Sequence, residues 1–264
     1  MANNKLLLLE ECPGFNDTLG VIEISILASV KLPSMRVQFK GSNYLQFLNL
    51  QGNSHSQNFN NNQIYKLVFK PNSDINDNIA HIVHEFNFHD VIQVHRLGGP
   101  RDIASWFKLE LFGSSIIRES QRIISSLGEY VTIHGRLTDF GGGVDLEDFY
   151  AQFKHKHKVE IKDVIGSGNV HLSTDSPFLI AALSCYPNVH CFNYLKQLNL
   201  LTIEKGIPLH SKISHEKYCI DSEQYYKSVV LDVILAINSK KVFQHYGGFG
   251  STISALHRLL NQKH

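Results

Sequence analysis

The chain has 264 residues, of which 43% are hydrophobic and 19% charged, a composition typical of a globular protein. The formal net charge is +1, so we expect no nucleic-acid partner and no broad attraction to an anionic membrane, although one local cation would suffice for a small anion. The apolar run at residues 6–9 is too short for a signal peptide or a membrane span. The Asn-rich, signal-free sequence favours a cytoplasmic bacterial or viral protein, with a fragment cut from an anchored protein as the alternative.

The first half of the chain has the pattern of an α/β unit. A strand at residues 6–9 leads through a loop to a helix whose apolar positions include Leu19, Ile22 and Ile26. We predict further strands at residues 36–39, 44–48, 65–69 and 84–91, and an exposed loop at 51–63. Helical periodicity at residues 103–126 is broken at Gly113. The break places a domain boundary between residues 1–112 and 113–264.

The second half of the chain alternates strands and helices. We predict strands at residues 130–134, 170–173, 189–192 and 241–246. We predict helices ending near residue 153 and at residues 176–183, 222–237 and 252–260, with a loop at 247–251. Such alternation indicates a parallel sheet, and parallel sheets bind ligands at the carboxyl ends of their strands.

Polar groups follow the strand ends in both halves. After the first strand, Gly14, Phe15, Asn16 and Asp17 precede a helix, which is either an anion-binding loop or a plain capped turn. After the strand at 130–134, Arg136 and Asp139 form either a phosphate-binding cation with its partner or a surface ion pair.

Two more strand ends carry similar groups. Thr174, Asp175 and Ser176 stand before Pro177, where Asp175 either meets a ribose or guanine or helps to cap a helix. The turn at residues 247–252 contains Gly250, Ser251 and Thr252, typical either of a phosphate cradle or of a flexible turn. His245 lies beside this turn.

Taken in order, these segments resemble the fucosyltransferase superfamily, which includes α-1,2, α-1,6 and protein O-fucosyltransferases. The family motif His-x-Arg-x-x-Asp, often followed by Phe, stands here at His134, Arg136, Asp139 and Phe140. A second block matches at residues 174–177, a third at residues 230–254, and the first loop matches at residues 14–16. The resemblance implies a GT-B fold, in which two Rossmann-like domains with parallel sheets face each other across a cleft.

The resemblance also implies an inverting, metal-independent glycosyltransferase. It would move a sugar, with fucose as the first choice, from a GDP- or UDP-linked donor to a hydroxyl of a glycan acceptor. The N-terminal domain would serve the acceptor and the C-terminal domain the donor. Arg136 would bind the β-phosphate, Asp175 the nucleoside, and Ser251 and Thr252 the diphosphate, while residues 14–16 would face the sugar. The donor-binding set is Gly14, Phe15, Asn16, His134, Arg136, Thr174, Asp175, Ser176, His245, Gly250, Ser251 and Thr252.

Catalysis would need a cation for the leaving diphosphate and a base for the acceptor hydroxyl. Arg136 is the cation, and the candidate bases are Asp17, Glu11, Glu10 and Asp139. We expect no cofactor and no metal, because the sequence has no Asp-x-Asp motif and its cysteines, Cys12, Cys185, Cys191 and Cys219, lack zinc-site spacing.

Some features depart from the family pattern. A second arginine often follows the first, and here Leu137 takes its place. The alternatives are therefore another donor, such as UDP-xylose or a rhamnose donor, a protein of the same fold that binds nucleotide sugars or glycans without catalysis, and an unrelated doubly wound enzyme.

Overall fold

The computed structural model describes residues 5–12, 14–41, 43–50, 64–70, 73–137, 145–198, 209 and 211–261. Its contacts divide the chain into two compact units, Met1–Gly113 and Ser114–His264. The predicted loop at 51–63 lies outside the described residues, as do Thr138, Asp139, Phe140 and the glycines at 141–143.

The first unit is built around a parallel sheet of four strands in the order β2-β1-β4-β3. The strands are β1 (Leu6–Glu10), β2 (Arg36–Lys40), β3 (Ile64–Phe69) and β4 (Val91–Arg96). The helices are α1 (Phe15–Lys31), α2 (Ile75–Glu85) and α3 (Ile103–Trp106), with 3-10 turns at Leu45–Phe47 and Leu109–Leu111. The central strand β1 consists almost wholly of buried leucines, as expected for a parallel strand covered on both faces.

The second unit contains another four-stranded parallel sheet, in the order β7-β6-β5-β8. The strands are β5 (Tyr130–Gly135), β6 (Asn169–Thr174), β7 (Val189–His190) and β8 (Val242–Gln244). The helices are α4 (Ser114–Leu127), α5 (Leu146–His157), α6 (Ile161–Gly166), α7 (Pro177–Leu183), α8 (Lys212–Lys217), α9 (Ser222–Ile237) and α10 (Gly248–Asn261), with a 3-10 turn at Tyr194–Gln197. Two Rossmann-like units with parallel sheets confirm the predicted fold class.

Helix α9 forms the centre of the second core, and its predicted bounds agree with the structure. Its buried face includes one carboxylate, that of Asp232, which accepts hydrogen bonds from His171 Nε2 at 3.0 Å and Asn193 Nδ2 at 3.1 Å. The other ring nitrogen of His171 lies 3.2 Å from the hydroxyl of Thr132. These contacts connect α9 to β5, to β6 and to the chain after β7, and they place His171 in the core.

The predicted strand at residues 44–48 is wrong, because this segment forms a 3-10 turn. The carboxylate of Glu11 accepts hydrogen bonds from the backbone N–H groups of Asn43, Tyr44 and Leu45. Consecutive N–H groups that converge on one carboxylate cannot alternate in direction as a strand requires. The contact between Glu11 and this segment is tertiary, so local periodicity did not reveal it.

Two other secondary-structure predictions are wrong, one in a histidine-containing segment and one in a glycine-rich segment. The expected strand at residues 84–91 is the end of α2 followed by a turn, and the strand begins at Val91. The expected loop at 247–251 is mostly helical, because α10 starts at Gly248 rather than Thr252. Short helices at 161–166 and 212–217 were not predicted.

Among the described residues, no helix combines the length and the apolar character that a membrane crossing needs. Over the same residues, no cluster of three or more His, Cys, Asp or Glu side chains could hold a metal ion. All four cysteines are free thiols.

Candidate functional site

The strand ends of the second sheet bring together the main residues predicted for the donor. Arg136 follows β5, Asp175 follows β6, and His245 follows β8. Because β5 pairs with β6 on one side and with β8 on the other, Arg136 lies at the centre of the carboxyl edge. Arg136 and Asp175 are both half-buried, so each remains within reach of solvent.

Asp175 connects the end of β6 to the end of β5 by a hydrogen bond. Its Oδ1 accepts a hydrogen bond of 2.9 Å from the backbone N–H of Leu137. Next to it, the Thr174 hydroxyl accepts from Ser176 N at 3.0 Å, and the Ser176 hydroxyl accepts from Leu179 N at 3.2 Å. Ser176 is thus the N-cap of α7, with Pro177 in the first turn. The capping interpretation therefore accounts for Thr174 and Ser176, and Asp175 fixes the backbone just after Arg136.

The side chain of Arg136 lies against Gly247. A Cβ atom on Gly247 would stand 3.1 Å from Arg136 Cδ and 3.4 Å from Nη1. Gly247 also has a φ of +102°, a conformation that other residues rarely adopt. A glycine at this position therefore allows both the local turn and the approach of the guanidinium to the start of α10.

Helix α10 contributes its N-terminus to the same place. The N–H groups of a first helical turn have no acceptor within the helix, and they carry a partial positive charge. Ser251 is exposed, and its hydroxyl donates to Gly247 O at 3.1 Å, whereas Thr252 is buried. A guanidinium beside a helix N-terminus is an arrangement that binds phosphate or another anion.

His245 contacts the backbone of Arg136. Its Nδ1 lies 3.1 Å from the carbonyl oxygen of Arg136, and its Nε2 lies 2.9 Å from Gln152 Oε1. Burial is the main cause that lowers the pKa of His245, which favours a neutral ring. Lys156 donates to the carbonyl oxygen of His245 at 3.3 Å and adds a second cation near this edge.

His134 is buried beneath the site and does not reach its surface. A Cβ on Gly250 would stand 2.8 Å from His134 Nδ1, so the first turn of α10 packs directly on the imidazole. Burial, followed by the charges of His245, Arg136 and Lys156, lowers the pKa of His134 to about 3. A neutral imidazole in this position spaces β5 from α10. The motif histidine therefore supports the site from within the core.

In the first unit, the loop after β1 is tightly packed. Phe15 is buried and meets the ring of Tyr44 at a centroid distance of 5.3 Å. The amide of Asn16 occupies the space in front of Gly99, so that a Cβ on Gly99 would collide with it. Gly14 is the N-cap of α1 and offers no side-chain cap. Phe15 thus packs in the core, while Asn16 is half-buried in the first turn of α1.

The candidate bases differ in their surroundings. Glu11 accepts from the N–H groups of residues 43–45, and desolvation is the main cause that raises the pKa of its carboxyl group. This contact gives Glu11 a structural task in the fold. Glu10 interacts with Gln93 and lies 3.9 Å from Lys40. Asp17, in the first turn of α1, is half-buried. Asp139 lies outside the described residues.

The sequence did not single out Lys156, Gln152 or Arg96. Lys156 and Gln152 stand on the polar helix α5, and only the fold brings that helix to the end of β8. Arg96 is the last residue of β4 and is fully buried. An arginine at a strand end was the signal that identified Arg136, and the same signal applies to Arg96.

These features define a class: two Rossmann-like units, one of which presents an arginine and a helix N-terminus at the carboxyl edge of its sheet. No protein-family model matches the sequence, and no curated protein matches it significantly. Solved structures do share the fold. The alignment with the fucosyltransferase NodZ from Bradyrhizobium covers 97% of this chain and 93% of the NodZ chain, with 13% identity and a TM-score of 0.50.

Two further structures are similar. NodZ α-1,6-fucosyltransferase co-crystallized with GDP covers 97% of this chain and 92% of its own, with 12% identity and a TM-score of 0.50. An arginine-to-lysine mutant of Arabidopsis thaliana FUT1 in complex with GDP covers 96% of this chain and 68% of its own, with 10% identity and a TM-score of 0.50. At these identities the likeness concerns the fold. The chain therefore has a fucosyltransferase-like GT-B fold, and the predicted resemblance is confirmed at that level.

Proposed function

We propose that this chain is an inverting, metal-independent glycosyltransferase that moves fucose from GDP-fucose to a hydroxyl of a glycan acceptor. The observation that carries the proposal is the position of Arg136 against Gly247 at the start of α10. The fold neighbours support the choice of donor, since two of them were solved with GDP.

The chemistry follows from the charge that develops on the departing diphosphate. As the bond between the sugar and the β-phosphate breaks, the phosphate oxygen takes the electron pair. Asp175 and His245 hold the backbone at Leu137 and Arg136, and the Arg136 side chain lies against Gly247 at the start of α10. A cation that is in place before the reaction would stabilise the developing charge with little reorganisation. An acceptor hydroxyl attacks the opposite face of the sugar and inverts the anomeric centre, while a carboxylate takes its proton.

Each region has a proposed task. The second unit would hold the donor: Arg136 on the β-phosphate, Asp175 near the nucleoside, and residues 250–252 on the diphosphate. Residues 14–16 of the first unit would serve the sugar and acceptor side, with Asp17 as the base. His134, Thr174 and Ser176 would act through the backbone that they support.

The experiment that tests the proposal is calorimetric titration with GDP, UDP, CDP and dTDP in the presence of EDTA. We expect micromolar binding of GDP and at least a tenfold loss, about 1.4 kcal/mol, in Arg136→Ala. Arg258→Ala removes the same charge from the last turn of α10, far from its N-terminus, and should bind GDP as the parent does. If no diphosphate binds, or if Arg136→Ala binds equally well, the proposal is wrong.

The same titration and a product assay separate the alternatives. A preference for UDP would favour a donor such as UDP-xylose, and a preference for dTDP would favour a rhamnose donor. GDP binding without transfer to any glycan acceptor would indicate a protein that binds nucleotide sugars. Transfer that occurs but is abolished by EDTA would contradict the metal-independent mechanism.

A further inference from the structure

Helices α5, α6 and α7 of the second unit line a pocket that the proposed transfer does not use. The pocket has a volume of about 410 Å³ and is also lined by the turn that follows α7. Small-ligand sites commonly have volumes of roughly 300–1,000 Å³. None of its described lining residues belongs to the set proposed for the donor. The pocket is therefore large enough for a ligand of its own.

Two tyrosines give the pocket an aromatic wall that is open to solvent. Tyr150 belongs to α5 and is 37% exposed, and Tyr186 follows α7 and is 38% exposed. The face of an aromatic ring carries partial negative charge, which attracts the weakly positive C–H groups of a ligand. A tyrosine also loses little conformational freedom on binding, because its side chain has only two torsions. These rings are thus suited to hold a flat surface of C–H groups.

The floor of the pocket is apolar and is held in place by the fold. Ile161, Ile165 and Leu183 line it and are buried. The side-chain amide of Asn188 donates to Ile165 O at 2.6 Å and to Gly168 O at 2.5 Å, which connects the turn after α7 to the end of α6. Because these walls are fixed before a ligand arrives, binding requires little ordering of the protein.

A charged cluster, formed by Lys154, Glu160 and Lys162, completes the lining. Glu160 Oε1 lies 2.9 Å from Lys154 Nζ, and Glu160 Oε2 lies 2.9 Å from Lys162 Nζ. The hydrogen bond from Lys154, followed by that from Lys162, lowers the pKa of Glu160 to about 2, so its carboxylate is ionised at neutral pH. The charged cluster therefore offers a ligand both N–H donors and carboxylate acceptors.

These features together favour a neutral sugar as the ligand. A hydroxyl group both donates and accepts, so it can bond to the ammonium groups and to the carboxylate of the charged cluster. An anion would meet the like charge of Glu160, and a purely apolar ligand would remove charged groups from water without replacing their hydrogen bonds. A pyranose ring with equatorial hydroxyls presents C–H groups on both faces and hydroxyls around its edge. Such a ring matches the tyrosines, the floor and the charged cluster at once.

We propose that this pocket is a glycan-binding site, separate from the transfer site, for a neutral β-linked oligosaccharide of equatorially substituted hexoses. Tyr150 and Tyr186 stack on the ring faces, and the charged cluster bonds to the hydroxyls. Binding here forms no covalent bond and needs neither a nucleotide nor Arg136. The inference therefore goes beyond the proposed function, because a second site would keep a long glycan attached to the chain between transfers.

The first test is an NMR titration of the intact, isotope-labelled chain with cellotriose, a neutral β-linked trimer of glucose. We expect millimolar binding and shifts of backbone resonances at residues 150–154, 160–165 and 182–186. Saturation of the tyrosine ring protons should also transfer to the C–H protons of the sugar. Mannitol, an open-chain polyol that has hydroxyls but no ring face, should cause none of these changes.

The second test compares variants of the lining residues. Tyr150→Ala and Tyr186→Ala should each weaken cellotriose binding by about fivefold or more, because each removes one ring face. Tyr150→Phe and Tyr186→Phe keep the rings and should bind within about twofold of the parent. Glu160→Gln should weaken binding, because hydrogen bonds to a charged acceptor are the stronger ones. Phe88→Ala, which removes an exposed ring from the first unit, should bind as the parent does.

Several results would overturn the inference. Absent shifts, shifts confined to the first unit, or parent affinity in both alanine variants would exclude a glycan site here. If phenyl phosphate shifted the same resonances at lower concentrations than cellotriose, and Glu160→Gln strengthened its binding, the pocket would be an anion site. If these resonances shifted with protein concentration alone, a second copy of the chain would occupy the pocket.

The test stays decisive if a variant does not fold. The parent titration and the saturation transfer need no variant, and a parent that binds no cellotriose at the pocket residues contradicts the inference. Failure of the proposed function has a different signature. It would appear as absent GDP binding or transfer in the parent, whereas the titration with cellotriose contains no nucleotide.

Discussion

At the scale of single residues, Gly247 determines whether Arg136 can reach the start of α10. We predict that Gly247→Ala destabilises the protein by about 1–3 kcal/mol, because a residue with a Cβ is strained at a φ of +102°. The added methyl group would also press on Arg136 Cδ, only 3.1 Å away, and weaken GDP binding by at least tenfold. Urea unfolding and calorimetry on the same preparation measure both effects.

The matched control for this change is Gly166→Ala. Gly166 ends α6, where an added Cβ would meet no atom within 4 Å. Its stability should change by less than about 0.5 kcal/mol, and its GDP affinity should equal that of the parent. Equal stability and equal affinity in Gly247→Ala would show that this glycine does not shape the site.

Strand-end position was enough to place Arg136 at the carboxyl edge of the sheet from the sequence, because a parallel sheet exposes the residues that follow its strands. Its task as a phosphate ligand came from the family resemblance and stays a prediction. The same criterion did not explain His134. Its place between β5 and α10 depends on Gly250, which lies 116 positions away along the chain. Arg96 was missed for a similar reason, since its side chain packs against Gly20 of α1, and the two become neighbours only when α1 packs beside β4.

At the scale of elements, the contact between α9 and the sheet depends on one buried carboxylate. We predict that Asp232→Ala lowers the free energy of unfolding by about 3 kcal/mol, because it leaves His171 and Asn193 without their buried acceptor. Asp232→Asn keeps the shape and one acceptor oxygen, so its loss should be smaller. Urea unfolding followed by circular dichroism measures the difference.

Glu223→Ala serves as the control on the same helix. This acidic residue is exposed in the first turn of α9, where a carboxylate contributes less than about 1 kcal/mol through the helix dipole. If Asp232→Ala lost no more stability than Glu223→Ala, the buried network would not be what attaches α9 to the sheet.

Elements with a strong periodicity of apolar residues were predictable, and elements fixed by contacts with distant parts of the chain were not. The apolar period of α9 gave its bounds because a long helix repeats its pattern over several turns. Residues 247–251 are rich in glycine, which is unfavourable within helices, and so they resembled a loop. A glycine at 250 lets the first turn of α10 approach His134, because a Cβ there would stand 2.8 Å from the imidazole Nδ1. Packing in this case overrides propensity.

At the scale of the whole molecule, alternation of strands and helices was sufficient to predict two parallel α/β units. A parallel connection needs a crossover, and among the described residues α1, α2 and α9 lie in such crossovers. The phosphate and nucleoside contacts that we propose all lie in the second unit, whereas residues 14–16, proposed for the sugar, and the candidate base Asp17 lie in the first. The two tasks of a transferase are therefore separable by experiment.

We predict that GDP protects the second unit selectively in hydrogen exchange. At one hundred times its dissociation constant, GDP should stabilise the folded chain by about 2.7 kcal/mol. Protection should concentrate at residues 135–137, 174–176 and 247–252, because these segments hold the proposed phosphate and nucleoside contacts. Peptides from α1 should exchange as they do without nucleotide. Protection confined to α1, with none at the start of α10, would place the nucleotide in the first unit and contradict the assignment of Arg136.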